Sequence, residues 1–263
     1  MNIETEINND IKFLAKSEIR LKILSELNKK PNNVRGLVKK TKITYSSVSS
    51  NILKLEKNNY LKKIKNMYHV TPMAELYFNS LMDFKNSADI INKNISFWNK
   101  HNINQLSIEA AKSITDLKNS TIIETTPIDI YKTHNTTKEQ LIQSKNVRAI
   151  FPYLHPEYPK IIEQILNNDG YVELIIPEMI LKEIINQIDH NMRNHAMKNG
   201  KLTIYNTSNN LDLYLTICDE SMSLGLFKSD GSFDQNRILI SSNPKSQKWA
   251  NNLFEHVKNQ VIE

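Results

Sequence analysis

The sequence of 263 residues contains a single cysteine, Cys218, and only five glycines. One cysteine excludes an intrachain disulfide and a zinc site built from cysteines, which is typical of a cytoplasmic protein. Because glycine occurs only at positions 36, 170, 200, 225 and 231, the sequence contains neither a phosphate-binding P-loop motif nor a dinucleotide-binding motif. No apolar run approaches the roughly 18 to 20 residues of a membrane span, so we predict neither secretion nor membrane insertion.

The basic residues are concentrated in the first quarter of the chain. Residues 1–72 hold 15 Lys and Arg against 6 Asp and Glu, a net charge of +9, whereas residues 73–263 hold 19 against 22, a net charge of −3. A basic module joined to a mildly acidic body is typical of a polyanion-binding head on a separate domain. Because 29 of the 34 basic residues are Lys, a generally Lys-rich, solvated surface explains the charge about equally well.

Hydrophobic periodicity predicts three helices in this head, over residues 17–28, 34–41 and 44–58. Two short alternating segments follow, "YLKKIKN" and "MYHVT", which predict a β-hairpin with a basic tip at Lys65-Asn66. Thr71-Pro72 then supplies the cap and the first-turn proline that begin another helix.

The third helix begins with four serines among seven residues, "TYSSVSS". Such a run is ordinarily a loop, because serine hydroxyls compete for the backbone hydrogen bonds of a helix. Apolar residues nevertheless recur at helical spacing and predict one buried face, formed by Tyr45, Val48, Ile52 and Leu55. The opposite face is predicted to carry Ser46, Ser47, Ser50, Lys54 and Lys57, with Ser49 and Asn51 on its margins. Thr44 is the predicted N-cap, and Asn59 the predicted left-handed residue that ends the helix.

The run "SSVSSNILKLEKNNYLKK" resembles the recognition helix and wing of archaeal and bacterial winged helix-turn-helix regulators. The resemblance implies that the helix enters a major groove of double-stranded DNA while the wing, residues 62–68, follows the phosphates. Tyr45 is expected to lie in the core rather than on DNA, although its hydroxyl could reach a phosphate. The expected DNA-binding residues are Arg35, Thr44, Tyr45, Ser46, Ser47, Ser49, Ser50, Asn51, Lys54, Lys62, Lys63, Lys65 and Tyr68.

A helical connector is predicted over residues 73–104. Its apolar residues alternate spacings of four and three, a heptad seam formed by Tyr77, Leu81, Phe84, Ala88, Ile91, Ile95 and Trp98. Such a seam can pair with a second copy of the chain to form a homodimer, or it can pack within the same chain. The weak helix formers of "KNSADI" could split the helix.

From residue 105 onwards, β-rich apolar runs alternate with amphipathic helices. This order predicts a three-layer α/β domain over residues 105–263 with a mixed, largely parallel sheet. An antiparallel hairpin is predicted around Asp219-Glu220, and "PKSQKWANNLFEHVKNQ" is predicted as the last helix. The whole chain is therefore predicted as an α+β head, residues 1–72, joined through the connector to an α/β domain.

The second half resembles the sensing domain of archaeal methanogenesis-regulator-type transcription factors. The resemblance is carried by "FPYLHPEYPKIIEQILNNDGYVELIIPE", "LTICDESMSLGLFKSDGSFD" and "KWANNLFEHV", with "FWNKHNI" before them. It implies a DNA-binding regulator whose sensing domain is related in fold to phospholipase D-like domains.

The relation to phospholipase D-like domains raises the question of whether the sequence contains catalytic residues. Phosphodiesterase chemistry of this kind needs a His nucleophile and a His acid, each within a His-x-Lys-x4-Asp motif. The sequence offers one near match, His256-Val-Lys258 with Glu263, and we interpret it as chance. His190 and His195 are five residues apart and would diverge by about 140° on a helix, so a shared metal ion is not expected. We predict no catalytic residue, no metal and no cofactor.

A ligand pocket is predicted at the carboxyl ends of the strands, where open α/β sheets bind ligands. The run after "VRAIFP" supplies aromatic, imidazole and carboxylate groups, and the predicted effector-binding residues are Tyr153, His155, Glu157 and Tyr158. The alternative is loop packing around Pro152, Pro156 and Pro159.

The sequence thus predicts a DNA-binding transcriptional regulator controlled by a small-molecule effector, with DNA and a second copy of the chain as partners. One alternative is a phosphodiesterase-like enzyme that carries a DNA-binding head. Convergence of a His and a Lys in the folded domain would favour it. The other alternative is a winged-helix module that binds proteins.

Overall fold

The fold is described by a computed structural model for residues 9–262. Residues 1–8 and Glu263, the last residue of the His256 motif, lie outside the described part. The chain divides into two compact units, one up to Ala88 and the other from Asp89 onwards. No helix within the described range has both the length and the apolar character needed to cross a membrane.

The described head contains four helices and a two-stranded hairpin. The elements are α1 (Asn9–Ala15), α2 (Glu18–Lys29), α3 (Val34–Thr41), α4 (Tyr45–Lys57), β1 (Leu61–Ile64) and β2 (Met67–Val70). α2 begins at its predicted cap, because the Ser17 hydroxyl accepts a 3.3 Å hydrogen bond from the Arg20 amide. The core of the head is formed by buried side chains that include Ile23, Leu24, Leu27, Leu37, Val48, Ile52, Leu55, Tyr60 and Phe78. The three predicted helices and the hairpin are all present.

The predicted connector is two helices, α5 (Pro72–Lys93) and α6 (Ile95–Lys100). α5 begins as expected, with the Thr71 hydroxyl accepting a hydrogen bond from the Ala74 amide at 3.3 Å. The interruption falls at the buried Asn94 and not within residues 85–90, where weak helix formers cluster. The break also shifts the helical phase, so that Phe97 is buried in place of the predicted Trp98, which is half-buried.

The second unit contains a seven-stranded mixed sheet in the order β3-β9-β8-β7-β4-β5-β6. Its strands are β3 (Thr121–Glu124), β4 (Asn146–Ile150), β5 (Tyr171–Pro177), β6 (Leu202–Thr207), β7 (Leu213–Ile217), β8 (Met222–Leu226) and β9 (Arg237–Ser241). Its further helices are α7 (Ile108–Lys112), a 3₁₀ turn (Ile114–Leu117), α8 (Lys132–Ile142), α9 (Tyr158–Asn167), α10 (Glu178–Gln187), α11 (His190–Lys198) and α12 (Pro244–Ile262).

The sheet is mixed, as predicted, but its parallel part is smaller than expected. β4, β5 and β6 are parallel to one another, whereas β7, β8, β9 and β3 add antiparallel pairings. The connection between β7 and β8 is the predicted turn at Asp219-Glu220, which is too short for the crossover that parallel strands require. Strand β9 was missed in the sequence.

Helices cover both faces of this sheet and produce two apolar layers. Successive residues of β4 and β5 alternate between them, since Ile150 and Ile175 pack on the α12 side while Ala149 and Leu174 pack on the side of α8, α9 and α10. Alternation of this kind follows from the two-residue period of a strand. The result is the predicted three-layer architecture, and it brings the loops after β4 and β8 to the same region of the domain as the start of α8.

Candidate functional sites

The serine-rich helix α4 is held by its apolar face. Val48, Ile52 and Leu55 are buried in the core of the head. Thr44 caps the helix, because its hydroxyl accepts from the Ser47 amide at 3.4 Å and donates to the Ser47 hydroxyl at 2.9 Å. Asn59 has a φ of 60°, the left-handed conformation expected just past the helix end. The interpretation of the serines as one surface of a helix is therefore correct.

The opposite face of α4 is open to solvent. Ser46, Ser50 and Lys54 are exposed, whereas Ser47, Ser49 and Asn51 lie at its margins. The Asn51 side chain donates to the Ser47 carbonyl at 2.9 Å, which leaves its amide oxygen for another partner. Short hydroxyl side chains at the centre of this face allow the helix backbone to come close to whatever it binds.

Tyr45 corrects one prediction, because it is 57% exposed and does not belong to the core. Helical period identifies the face of a helix but not where along it the neighbouring elements end, and the buried stripe begins only at Val48. Its ring and hydroxyl are therefore available at the first turn of α4, beside the serines.

The hairpin presents three exposed lysines, Lys62, Lys63 and Lys65. Its two-residue turn, Lys65-Asn66, has φ values of 45° and 67°, as a type I′ turn requires. The structure overturns a second prediction here, because Tyr68 is only 7% exposed and its backbone is hydrogen-bonded in both directions to Asn32. Tyr68 anchors the hairpin to the head and is not available as a contact residue.

Arg35 is exposed on α3. The other arginine of the described head, Arg20, is half-buried with its guanidinium 4.0 Å from the centre of the Phe13 ring. Arg35 is therefore the more accessible arginine of the described head, and most of the exposed positive charge around α4 and the hairpin comes from lysine.

A cavity of about 380 Å³ lies beside the carboxyl end of β4. Three of the four predicted pocket residues line it, namely Tyr153, His155 and Tyr158. Further lining residues come from α8, from β7 and from the segment that leads into β9, and they include Thr133, His134, Thr137, Tyr214, Phe233, Asp234, Gln235 and Arg237. No sequence pattern indicated these residues, because they are distant from one another along the chain.

The cavity wall is a cluster of aromatic rings. The Tyr153 ring lies 4.8 Å from that of Phe233 and 6.0 Å from that of Tyr214, centre to centre. The hydroxyls of Tyr158 and Tyr214 are 3.5 Å apart. Burial raises the pKa of all three tyrosines, so their hydroxyls stay protonated and can donate hydrogen bonds. Such a wall suits a ligand with both flat apolar surface and hydrogen-bonding groups.

Glu157, the fourth predicted residue, lies behind the imidazole of His134. Its carboxylate is 2.7 Å from His134 Nε2 and is paired with Lys138, one turn further along α8. Hydrogen bonds from Lys138 and then His134 lower the pKa of Glu157 to about 2. Burial, and then the neighbouring His134, lowers the pKa of His155, which therefore stays neutral at pH 7.

His134, His155 and Glu157 form a described group whose possible metal-ligand atoms lie within 4.8 Å of one another. The two imidazole rings are stacked, with centres 3.8 Å apart and planes 23° from parallel. Because a ring nitrogen binds a metal in the plane of its ring, stacked rings do not direct both lone pairs at one ion. A shared ion would require the rings to turn.

The structure also shows where the other histidines considered in the sequence lie. His190 and His195 lie on α11 and are exposed, which agrees with their interpretation as surface residues. Lys258 of the His256 motif is bound to Glu173 at 2.7 Å. The convergence of a His and a Lys that would favour an enzyme does occur, at Glu157, with His134 and Lys138 as the pair.

A second polar group beside the cavity was not predicted. His101, the C-terminal cap residue of α6, and Asp234 both have fully buried side chains, and His101 Nε2 is 3.0 Å from Asp234 Oδ2. Arg237 Nη1 donates to the same carboxylate at 3.1 Å, and Arg237 Nε donates to Glu124 at 2.8 Å. Because His101 and Asp234 are 133 residues apart, no local pattern could have identified the pair.

Comparison with known proteins finds a family model that is similar to part of the second unit. Residues 130–260 match the family model described as the middle domain of methanogenesis regulatory protein FilR1. The chain is also 22% identical over 256 residues to methanogenesis regulatory protein FilR1 of Methanothrix harundinacea (strain 6Ac), across 96% of this chain. That alignment covers 57% of the relative, so the chain spans little more than half its length. The resemblance to methanogenesis-regulator-type proteins is thereby confirmed, whereas the relation in fold to phospholipase D-like domains stays a prediction.

Solved structures give more distant likenesses. TrmBL2, described as an archaeal chromatin protein with a novel mode of DNA binding, aligns with 96% of this chain and 97% of its own at 12% identity and a TM-score of 0.43. Polyphosphate kinase from Porphyromonas gingivalis aligns with 54% of this chain and 26% of its own, at 7% identity and a TM-score of 0.36. At these scores neither likeness extends to function.

Proposed function

We propose that the chain is a DNA-binding transcriptional regulator whose head is a winged helix-turn-helix, with α4 as recognition helix and the β1–β2 hairpin as wing. The observation that carries the proposal is the division of α4 into a buried apolar face and an open face of Ser46, Ser50 and Lys54. A helix of this kind, followed by a lysine-tipped hairpin, has the form of a major-groove reader. The match of the second unit to a regulatory protein family supports it.

We expect the lysines and the serines of α4 and the hairpin to make different kinds of DNA contact. Lys54, Lys62, Lys63 and Lys65 are placed to neutralise phosphates, while the serines donate hydrogen bonds to phosphates or base edges. The scarcity of exposed arginine leaves little bidentate guanine recognition. We therefore expect an affinity that depends strongly on salt, and a sequence preference that depends on close approach of α4.

The second part of the proposal is a homodimer formed through the connector. Phe84 and Ile91, seven residues apart on one face of α5, are 73% and 43% exposed, and Ile95 on α6 is 51% exposed. A heptad spacing of exposed apolar side chains fits a second copy of the same helix. Two heads would then read half-sites about one helical turn apart.

The third part is control by a small molecule in the aromatic cavity. Tyr153, His155 and Tyr158 would contact it directly, and Glu157 would hold His134 in place. The mixture of aromatic faces and neutral hydroxyls suits an organic effector of modest size.

Footprinting of the purified full chain on genomic fragments tests the proposal. We expect discrete protected sites, with half-sites related by two-fold symmetry. Uniform weak protection at every sequence would contradict sequence-specific regulation, and the absence of any binding at low salt would favour a protein-interaction module. Screening cell metabolites for a shift in the DNA affinity of the full chain tests the effector.

A phosphodiesterase is a second candidate because His134 and His155 line the cavity, and Lys138 shares the Glu157 carboxylate with His134. A neutral imidazole beside a cationic side chain is the combination that attack on a phosphodiester requires. Incubation with bis(4-nitrophenyl) phosphate tests this candidate. Release of 4-nitrophenol that is lost in His155→Asn, and retained in the surface variant His195→Asn, would establish it.

A further inference from the structure

One short segment, residues 233–237, is shared by the cavity wall and the end of the connector. On one side, Phe233, Asp234, Gln235 and Arg237 line the cavity. On the other side, Asp234 holds the buried imidazole of His101, which ends α6. Any ligand that displaces this wall therefore acts on a residue that is bonded to the connector.

The position of the His101 side chain is fixed by hydrogen-bond acceptors next to both nitrogens of its ring. His101 Nδ1 is 2.6 Å from the Phe97 carbonyl and Nε2 is 3.0 Å from the Asp234 carboxylate, so both nitrogens face acceptors. Both side chains are fully buried, so neither has water as an alternative hydrogen-bond partner. Withdrawal of one partner is unfavourable, because it leaves a buried polar group of the other without a hydrogen bond. The two side chains must therefore move together.

A backbone hydrogen bond also joins the end of the connector to Phe227, which neighbours the same segment. The Asn102 amide donates to the Phe227 carbonyl at 2.7 Å, directly after His101. Phe227 in turn is bridged to Phe233, and their rings are 5.3 Å apart. The Thr133 hydroxyl, at the start of α8, donates to the Gln235 carbonyl at 2.7 Å and fixes the segment from the cavity side.

We propose that the His101–Asp234 pair transmits the state of the cavity to the connector helix α6. This inference rests on the proposed effector site and states how binding at that site would affect the connector. A ligand that contacts Arg237 or Phe233 shifts Asp234, and the hydrogen bond to His101 carries the shift to the last turn of α6. Coupling of this kind requires a defined physical contact that two sites both bias, and the pair supplies one.

The experiment uses the full chain and perturbs the wall without a ligand. Thr133→Val removes the hydroxyl that holds Gln235, while Thr136→Val is the matched control, because its hydroxyl bonds to the Lys132 carbonyl of the same helix. Hydrogen exchange is followed by mass spectrometry over residues 95–102. We expect Thr133→Val to accelerate exchange there about fivefold, the lower end of typical coupling, and Thr136→Val to leave it unchanged.

The pair itself is tested by repeating the measurement in its absence. In a His101→Leu background, the additional effect of Thr133→Val on residues 95–102 should disappear, and Asp234→Asn serves in the same way if His101→Leu does not fold. An undiminished effect in either background, or no effect of Thr133→Val at all, overturns the proposal. Anisotropy with labelled DNA is measured on the same samples. If neither the wild type nor any variant binds DNA, the proposed function is refuted. The exchange result still decides the role of the pair in that case.

Discussion

Arg148 and Glu173 are direct partners in the parallel register of β4 and β5, and Arg148 Nε donates to Glu173 at 2.7 Å. Lys258 of α12 donates to the other oxygen of the same carboxylate, also at 2.7 Å. The carboxylate thus joins two neighbouring strands to the last helix, and its loss removes a shared partner from two cations.

We expect Glu173→Gln to lower the free energy of unfolding by about 1–3 kcal/mol. Burial alone would raise the pKa of Glu173, but Lys258 and Arg148 lower it overall. Its contribution to stability is therefore complete above the ordinary carboxyl pKa of about 4.3 and is lost as the pH falls below it. Urea denaturation at pH 7 and pH 3.5 measures both effects. The exposed Glu183→Gln is the control, and an equal loss for both variants would refute the role of the network.

Removing positive charge from the hairpin should weaken DNA binding at every sequence. Lys62→Ala combined with Lys65→Ala removes two exposed charges, which should reduce the slope of log affinity against log salt by about 1–2. Titrations between low and moderate salt measure the slope. The control, Lys245→Ala with Lys248→Ala, removes the same charge from α12 and should leave the slope unchanged. An unchanged slope in the hairpin variant would exclude the wing from the interface.

A negative charge on the open face of α4 should weaken DNA binding. Ser50 is exposed at the centre of that face, so Ser50→Asp would place a carboxylate against phosphates or base edges. We expect at least a tenfold loss of affinity, or about 1.4 kcal/mol. Ser80→Asp makes the identical substitution at an exposed position of α5 and is the matched control. Equal affinities of the two variants in a gel shift would show that α4 does not face DNA.

Cys218 should be almost inert in the native protein. Burial raises the pKa of its thiol to about 11, and the residue is 4% exposed. Thiolate is therefore scarce at pH 8, and the sulfur is inaccessible to a reagent such as 5,5′-dithiobis(2-nitrobenzoate). We expect one equivalent to react rapidly in urea and to react in buffer only at the rate of unfolding. Rapid native labelling would place the thiol at the surface.

Gly225 is required for the packing of the cavity wall. A Cβ at this position would lie 2.9 Å from the Phe233 ring and 3.2 Å from Tyr214 Cβ. Gly225→Ala should therefore displace Phe233 and lower stability by about 1–3 kcal/mol. Gly200→Ala, which meets no atom within 4 Å but has a φ of +69°, measures backbone strain alone. If the two variants lose the same stability, crowding at Phe233 is not the cause.

Local patterns account for what the sequence predicted well. The apolar period through Val48, Ile52 and Leu55, the cap at Thr44 and the hairpin turn all depend on residues within one turn or one strand of each other. Tyr45 was assigned to the wrong environment for the opposite reason. Its burial depends on whether a neighbouring element reaches the first turn of α4, and the period of the helix carries no such information.

The cavity illustrates the same limit in the second unit. Tyr153, His155 and Tyr158 were predicted because a polar and aromatic run follows a strand of an α/β sheet. Their partners from α8 and β7, and the His101–Asp234 pair, are brought together only by the order of strands in the sheet. That order depends on packing across the whole domain and cannot be read from one segment.

The turn of the hairpin places backbone strain and positive charge on the same residue. Lys65 and Asn66 both adopt left-handed backbone conformations, which cost a lysine about 1 kcal/mol relative to glycine. Lys65→Gly should therefore make the head more stable while it removes a cation from the hairpin tip. Folding and charge thus favour different residues at position 65, because glycine would relieve the backbone strain whereas lysine keeps a cation at the hairpin tip.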